Sequence, residues 1–94
     1  MSRTKTSKQL ERHFKGISNH WRIEILLLVR ENEGITVEAI VEKLQGNFKT
    51  ISEHTRRLVQ SGLLNKQYHG RKVLHSLSPY GQKISEFILT FQHS

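Results

Sequence analysis

The chain has 94 residues, 35% of them hydrophobic and 24% charged, and its 15 Lys and Arg against 8 Asp and Glu give a formal net charge of +7. That length predicts one domain spanning residues 1–94, burying roughly 60 to 65% of its unfolded surface, a modest core that pairing with a second copy would support. The charge points to a polyanion, nucleic acid first, while the absence of cysteine excludes disulfides, thiolate metal sites and a cysteine nucleophile.

An anionic membrane surface is the other candidate polyanion, but the basic residues lie among helices with compact apolar stripes, without a lipidation motif. The longest apolar run, Ile25 to Val29, is too short to span a bilayer, and no secretory h-region opens the chain, so a cytoplasmic location is expected.

Residues 1–6 (MSRTKT) are polar and basic and are expected to be flexible, with Arg3 and Lys5 forming a loose arm toward phosphates. Leu10, Phe14 and Ile17 at i, i+4 and i+7 predict a first helix over Ser7–Ile17 with one apolar edge. Ser18 or Asn19 caps a second helix running to about Asn32, too apolar all round for a surface position and so the central core helix. Gly34 suits the left-handed turn that follows.

Thr36 caps a short third helix, in which Val37, Ile40, Val41 and Leu44 repeat at i, i+3, i+4 and i+7. Gln45-Gly46-Asn47 leads directly into a fourth. Asn47 is its N-cap; Phe48, Ile51, Thr55, Leu58 and Val59 form its buried stripe, and Ser61-Gly62 ends it. Lys49, Thr50, Ser52, Glu53, Arg56 and Arg57 are left largely off that stripe, a polar and basic face of the kind that enters a DNA major groove. Two short helices joined so tightly, the second carrying that face, predict a helix-turn-helix unit.

Beyond Gly62 the period becomes two. Leu64, Lys66 and Tyr68 alternate, as do Val73, His75 and Leu77, across a His69-Gly70-Arg71 turn, predicting a β-hairpin whose register the pattern leaves open. Its tip gathers His69, Arg71 and Lys72, positioned for a phosphate backbone or minor groove. Ser78-Pro79 starts a last helix over residues 79–91, where Ile84, Phe87, Ile88 and Phe91 form a stripe that is either a wall of the core or a subunit contact. The first helix offers a similar leftover edge in Leu10, Phe14 and Ile17, which favours the contact.

These residues resemble a known family. The run FKGISNHWRIEIL, Phe14 to Leu26, is similar to the F-K-A-L-S-D-P-T-R-L-R-I-L opening of the ArsR-type winged helix-turn-helix repressors. The run TISEHTRRLVQSGLL, Thr50 to Leu64, resembles that family's T-V-S-R-H-L-K-V-L-R-E-A-G-L-V recognition helix, and Gly70 to Leu77 resembles its G-R-W-V-Y-Y-R-L wing. The resemblance implies a mainly α fold with a small β-hairpin: a winged helix-turn-helix of about five helices and a two-stranded wing. It also implies a homodimer joined through the first and last helices (7–17 and 79–91), with two recognition helices in successive major grooves about 34 to 36 Å apart, and places Lys49, Thr50, Ser52, Glu53, His54 and Arg56 on the DNA-facing helix and Arg71 and Lys72 at the wing tip.

Several positions depart from the family pattern. His20 and Trp21 replace Pro and Thr, and Glu53 replaces an arginine of the recognition helix. Glu53 either accepts a hydrogen bond from a cytosine amine or, as its spacing favours, pairs with Arg56 or Arg57. Arg57, usually apolar in the family, adds a phosphate contact or solvates the helix edge. Many relatives bind a metal through third-helix cysteines or last-helix Asp and His; here Ile35 to Ala39 lacks cysteine and the last helix has only Glu86 and His93. No two of the six histidines have a helical metal-pair spacing, so no metal or cofactor is expected and the effector is left unknown.

The function expected is that of a sequence-specific, dimeric DNA-binding transcriptional regulator, a repressor of a pseudo-palindromic operator. The alternative is a winged-helix module for protein interaction or nonspecific nucleic-acid binding. No nucleophile–base–orienter set or phosphate loop stands out, so an enzyme is not expected.

Overall fold

The computed structural model describes residues 4–94, so Arg3 of the expected basic arm lies outside the described residues. In chain order the elements are α1 (Ser7–Ile17), α2 (His20–Glu31), α3 (Val37–Leu44), α4 (Phe48–Gln60), β1 (Leu64–His69), β2 (Lys72–Leu77) and α5 (Pro79–Gln92). This is the winged helix-turn-helix arrangement of five helices and a two-stranded antiparallel hairpin.

Every helix starts where a side chain satisfies an orphan backbone N–H. Asn19 Oδ1 accepts from the Trp21 N–H at 2.9 Å, Thr36 Oγ1 from Ala39 at 3.2 Å and Asn47 Oδ1 from Thr50 at 3.1 Å. The structure differs from the sequence reading at the start of α1. Thr6, expected within a flexible segment, forms a reciprocal capping box with Gln9, and the Lys5 ammonium sits 3.9 Å from the centre of the Tyr80 ring. Both residues are thereby tied to the folded body.

The core lies where α2, α3 and α4 meet. Ile25, Leu26, Val29, Ile40, Ile51 and Leu58 are fully buried there, and Leu63 and Leu64 extend the core to the base of the hairpin. At about 1.5 to 3 kcal/mol for each large side chain buried, these contacts are what orient α4. One expectation fails. Phe48, placed by periodicity in the buried stripe, is 52% exposed, because it is the first residue of α4 and precedes the turn that packs through Ile51.

The hairpin register runs from Leu64↔Leu77 at the base to His69↔Lys72 at the tip. The turn is tighter than the expected three residues: Gly70 and Arg71 alone connect the strands, with Gly70 at φ 67°. A contact the sequence did not announce anchors β2, where His75 pairs as an isolated antiparallel bridge with Ile35. The His75 N–H donates to the Ile35 carbonyl at 2.9 Å and the Gly34 N–H to the His75 carbonyl at 2.8 Å, while the His75 ring Nδ1–H donates to the same Ile35 carbonyl at 3.2 Å. Burial lowers the pKa of His75, so the buried ring is neutral.

Helix α5 is stitched to the α4–β1 corner through Ser78. Its N–H donates to the Leu63 carbonyl at 3.1 Å, its hydroxyl to the Gly62 carbonyl at 2.6 Å, and its Oγ accepts from the Gly81 N–H at 2.9 Å. Gly81 is buried so closely under this corner that a Cβ would overlap the Leu63 carbonyl oxygen. The predicted stripe of α5 divides. Ile84 and Ile88 pack against the core, whereas Phe87 and Phe91 stack on each other, ring centres 5.7 Å apart, and are 57% and 73% exposed.

Candidate nucleic-acid interface

The site is built on α4. Ile51, Thr55 and Leu58 fix its inner face, and the Thr55 hydroxyl is satisfied by the Ile51 carbonyl at 2.8 Å, so this buried polar group costs little. With that face fixed, the 3.6-residue period turns Lys49, Glu53, Arg56 and Arg57 outward. Asn47, Lys49 and Thr50, at the helix start, are exposed, while Ser52, Glu53 and His54 are half-buried. Phe48 stands among them with its ring exposed, an apolar surface able to meet a thymine methyl, and it is the residue of this face that the helical period concealed.

Glu53 holds the two arginines. Arg56 reaches it with Nε at 3.3 Å and Nη2 at 2.6 Å, and Arg57 with Nε at 3.0 Å. Of the two roles the sequence left open for Glu53, the ion pair is the one this structure contains. Hydrogen bonds from Arg56 and Arg57 hold its carboxyl at about 2, from an ordinary 4.5, and Arg56 is in turn raised by Glu53. A depressed carboxyl pKa means the pair is complete at neutral pH and is lost only as pH falls through about 2. With the Glu53, Arg56 and Arg57 side chains about half exposed to solvent, that pairing organises side chains more than it stabilises the fold.

His54 is not free. Arg22 of α2 donates from Nε to His54 Nδ1 at 3.2 Å, and burial with the Arg22 charge lowers the His54 pKa, so its remaining donor is Nε2–H of a neutral ring. The partner lies 32 residues away in sequence, which no local pattern reveals. His54 therefore ties α4 to α2 as well as bordering the exposed face.

The wing carries the second cluster. His69, Arg71 and Lys72 are all exposed at the hairpin tip, five residue pairs beyond the Leu64↔Leu77 base, or about 17 Å along the strands. Arg71 and Lys72 border a cleft of about 330 Å³ with Thr36 and Glu38, at the first turn of α3. The positive end of the α3 dipole thus adds to the wing-tip charge. Among the described residues Lys49, Arg71 and Lys72 form no ion pair, and no group of three His, Asp or Glu is placed to hold a metal ion. No described helix is long and apolar enough to cross a membrane.

Comparison with known proteins agrees with this architecture. Curated protein sequences offer no significant relative. Among solved structures, HlyU from Vibrio cholerae N16961 superposes with a TM-score of 0.83 at 22% identity, covering 94% of this chain and 96% of that one. A homodimeric winged helix-turn-helix DNA-binding domain from Mycobacterium bovis, Mb0332, described as a possible ArsR-family transcriptional regulator, gives 0.81 at 22% identity over 99% and 91%. The transcriptional repressor PagR of Bacillus anthracis gives 0.79 at 17% identity over 86% and 93%. At such identities the likeness is one of fold. The sequence carries more: residues 19–66, from the N-cap of α2 into β1, match the family described as bacterial regulatory protein, arsR family. With helix, turn, helix and basic wing in that family's order, the chain belongs to the arsR family of DNA-binding transcription regulators.

Proposed function

We propose that the protein is a dimeric, sequence-specific transcriptional repressor that reads a pseudo-palindromic operator, working in the cytoplasm. The observation that carries the reading is the pairing of an exposed polar and basic α4 face with an exposed basic wing tip. In this reading Asn47, Phe48, Lys49, Thr50 and Ser52 meet base edges, while Arg56, Arg57, His69, Arg71 and Lys72 meet phosphates. His54, held by Arg22, sets the angle of the helix.

The dimer is proposed to form through α1 and α5. Leu10, Phe14, Phe87 and Phe91 expose between 43% and 73% of their surface, an unusual apolar display on so small a domain, with Ile17, Ile84 and Ile88 beneath them on the core. Phe87→Glu puts a charge into that contact. It is expected to yield a monomer by sedimentation at concentrations where the wild type is a dimer, with duplex affinity reduced by about a hundredfold or more as two-site binding is lost. A variant still dimeric would assign Phe87 to another role.

Glu53→Gln tests the arginine pair. Its amide holds Arg56 and Arg57 less tightly, and each arginine released onto a phosphate steepens the slope of log affinity against log salt by about 0.9. Side-by-side salt titrations of wild type and variant read the change. Identical slopes would show that Glu53 does not hold either arginine back from the backbone.

Competition separates operator reading from nonspecific binding. A repressor is displaced from its selected duplex by that duplex at concentrations at which random duplex has no effect; equal displacement by both would leave the nonspecific module as the better description.

A further inference from the structure

A second concentration of positive charge adjoins the α4–wing face, sharing Arg57 with it, in a cleft of about 450 Å³ where α1 crosses the end of α4. The crossing is close because Gly16 has no side chain: a Cβ there would overlap Ser61. On the other side the His13 ring donates from Nδ1 to the Ser61 carbonyl at 2.8 Å, locking the two helices together. Arg12 and Lys15 of α1, Arg22 of α2 and Arg57 of α4 line the cleft.

The backbone positions two of these guanidinium groups. Arg12 Nη2 donates to the Gln60 carbonyl at 2.6 Å, and Arg22 Nη1 to the carbonyls of Lys15 and Gly16 at 3.2 and 3.3 Å. Those bonds cap the C-terminal ends of α4 and α1, yet each needs only part of a five-donor fork. Arg22 keeps Nη2, and Arg57, bonded to Glu53 through Nε, keeps both terminal nitrogens. Against four cations stand two carboxylates, Glu53 on Arg57 and Glu11 at 3.3 Å from Lys15. Cations crowded around one concavity repel each other, and an anion with several acceptor oxygens relieves that repulsion.

We propose that this cleft is a binding site for a phosphate-class anion. Arg57, with both terminal nitrogens unused, and Arg12 and Arg22, held in place by carbonyls with further N–H donors to spare, match the oxygens of a phosphoryl group. The phosphoryl group comes either from a small phosphorylated ligand or from the backbone of bound DNA. Because the lining joins α1, the proposed dimer helix, to Arg57 and, through Arg22, to His54 of α4, occupancy acts on the helix that faces DNA.

Pyrophosphate is the probe, titrated into the full chain at constant ionic strength and followed by amide chemical shifts. Saturable shifts at Gly16, Gln60 and Ser61 are expected, and Arg12→Gln with Lys15→Gln should weaken the affinity at least tenfold. Lys15→Glu, at a side chain 75% exposed and outside the core, should weaken it as well, at a small stability cost from the lost Glu11 pair. The source is read from duplex binding without pyrophosphate. If it is DNA, the double variant loses about 0.9 of salt slope for each lost contact; if it is a small ligand, the slope stays at the wild-type value. Absence of saturable shifts, shifts centred on the wing, or equal pyrophosphate affinity in wild type and both variants would overturn the site.

Discussion

Duplex affinity is expected to fall about a thousandfold between 50 and 200 mM monovalent salt. In the proposed dimer each protomer presents Lys49, Arg71 and Lys72 without an ion pair among the described residues, and two copies would make about six phosphate contacts. Six contacts give a slope of log affinity on log salt near −5.4, taking about −0.9 for each, and a fourfold rise in salt then costs roughly three decades. Arg56 and Arg57 add to that figure only as far as DNA draws them away from Glu53. Titration of a labelled duplex at four or five salt concentrations measures the slope. A loss of less than tenfold over the range would mean that the basic face and wing do not meet the backbone.

Gly81→Ala is expected to lower stability by about 3 kcal/mol or more, although it removes no interaction and improves helix propensity. The added methyl would overlap the Leu63 carbonyl oxygen, which is backbone, already accepts from the Ser78 N–H at 3.1 Å, and has no rotamer into which to retreat. Helix α5 must then lift from the α4–β1 corner, loosening Ile84 and Ile88 from the core and the base of the wing with them. For a domain of this size the change lowers Tm by more than about 10 °C. Lys83→Ala, two residues along on the exposed side of α5, serves as the control and should melt within about 2 °C of wild type. If Gly81→Ala melted with the control, α5 would not be seated as described.

What the sequence made legible was local. Thr36, Asn47 and Ser78 were recognisable as caps, and Asn19 as one of two candidates beside Ser18, because an N-cap acts on backbone groups two or three residues away and the apolar period starts beside it. The basic residues of α4 and of the wing tip were legible for the same reason, and so was the pairing of Glu53 with its neighbours three and four residues on. The features that escaped are contacts between distant segments. Arg22 meets His54 across 32 residues, His75 bridges Ile35 across 40, and Gly16 gives way to Ser61, none of which leaves a periodic trace. Phe48 escaped for another reason: its spacing satisfies the helical stripe, but a first-turn residue projects beyond the helices that cover the rest of that stripe.

The division of α4 also explains how a small chain can combine a firm scaffold with a readable surface. Its inner residues Ile51 and Leu58 are fully buried and its cap is satisfied, so Lys49, Thr50 and Ser52 are carried on a rigid element, which in the proposed operator reading keeps the entropy cost of ordering them on DNA low.

Selection of bound sequences from a random duplex pool, using the purified full chain at about 150 mM salt, tests operator reading by α4 and the wing most directly. A dimeric reader enriches a pseudo-palindrome whose half-sites are centred about one helical turn apart, roughly 10 to 10.5 base pairs, and Thr50→Ala or Ser52→Ala alters the enriched half-site while Arg71→Ala weakens binding to all sequences alike. A pool recovered without enrichment, or an enriched sequence whose base preference Thr50→Ala and Ser52→Ala both leave unchanged, would contradict it.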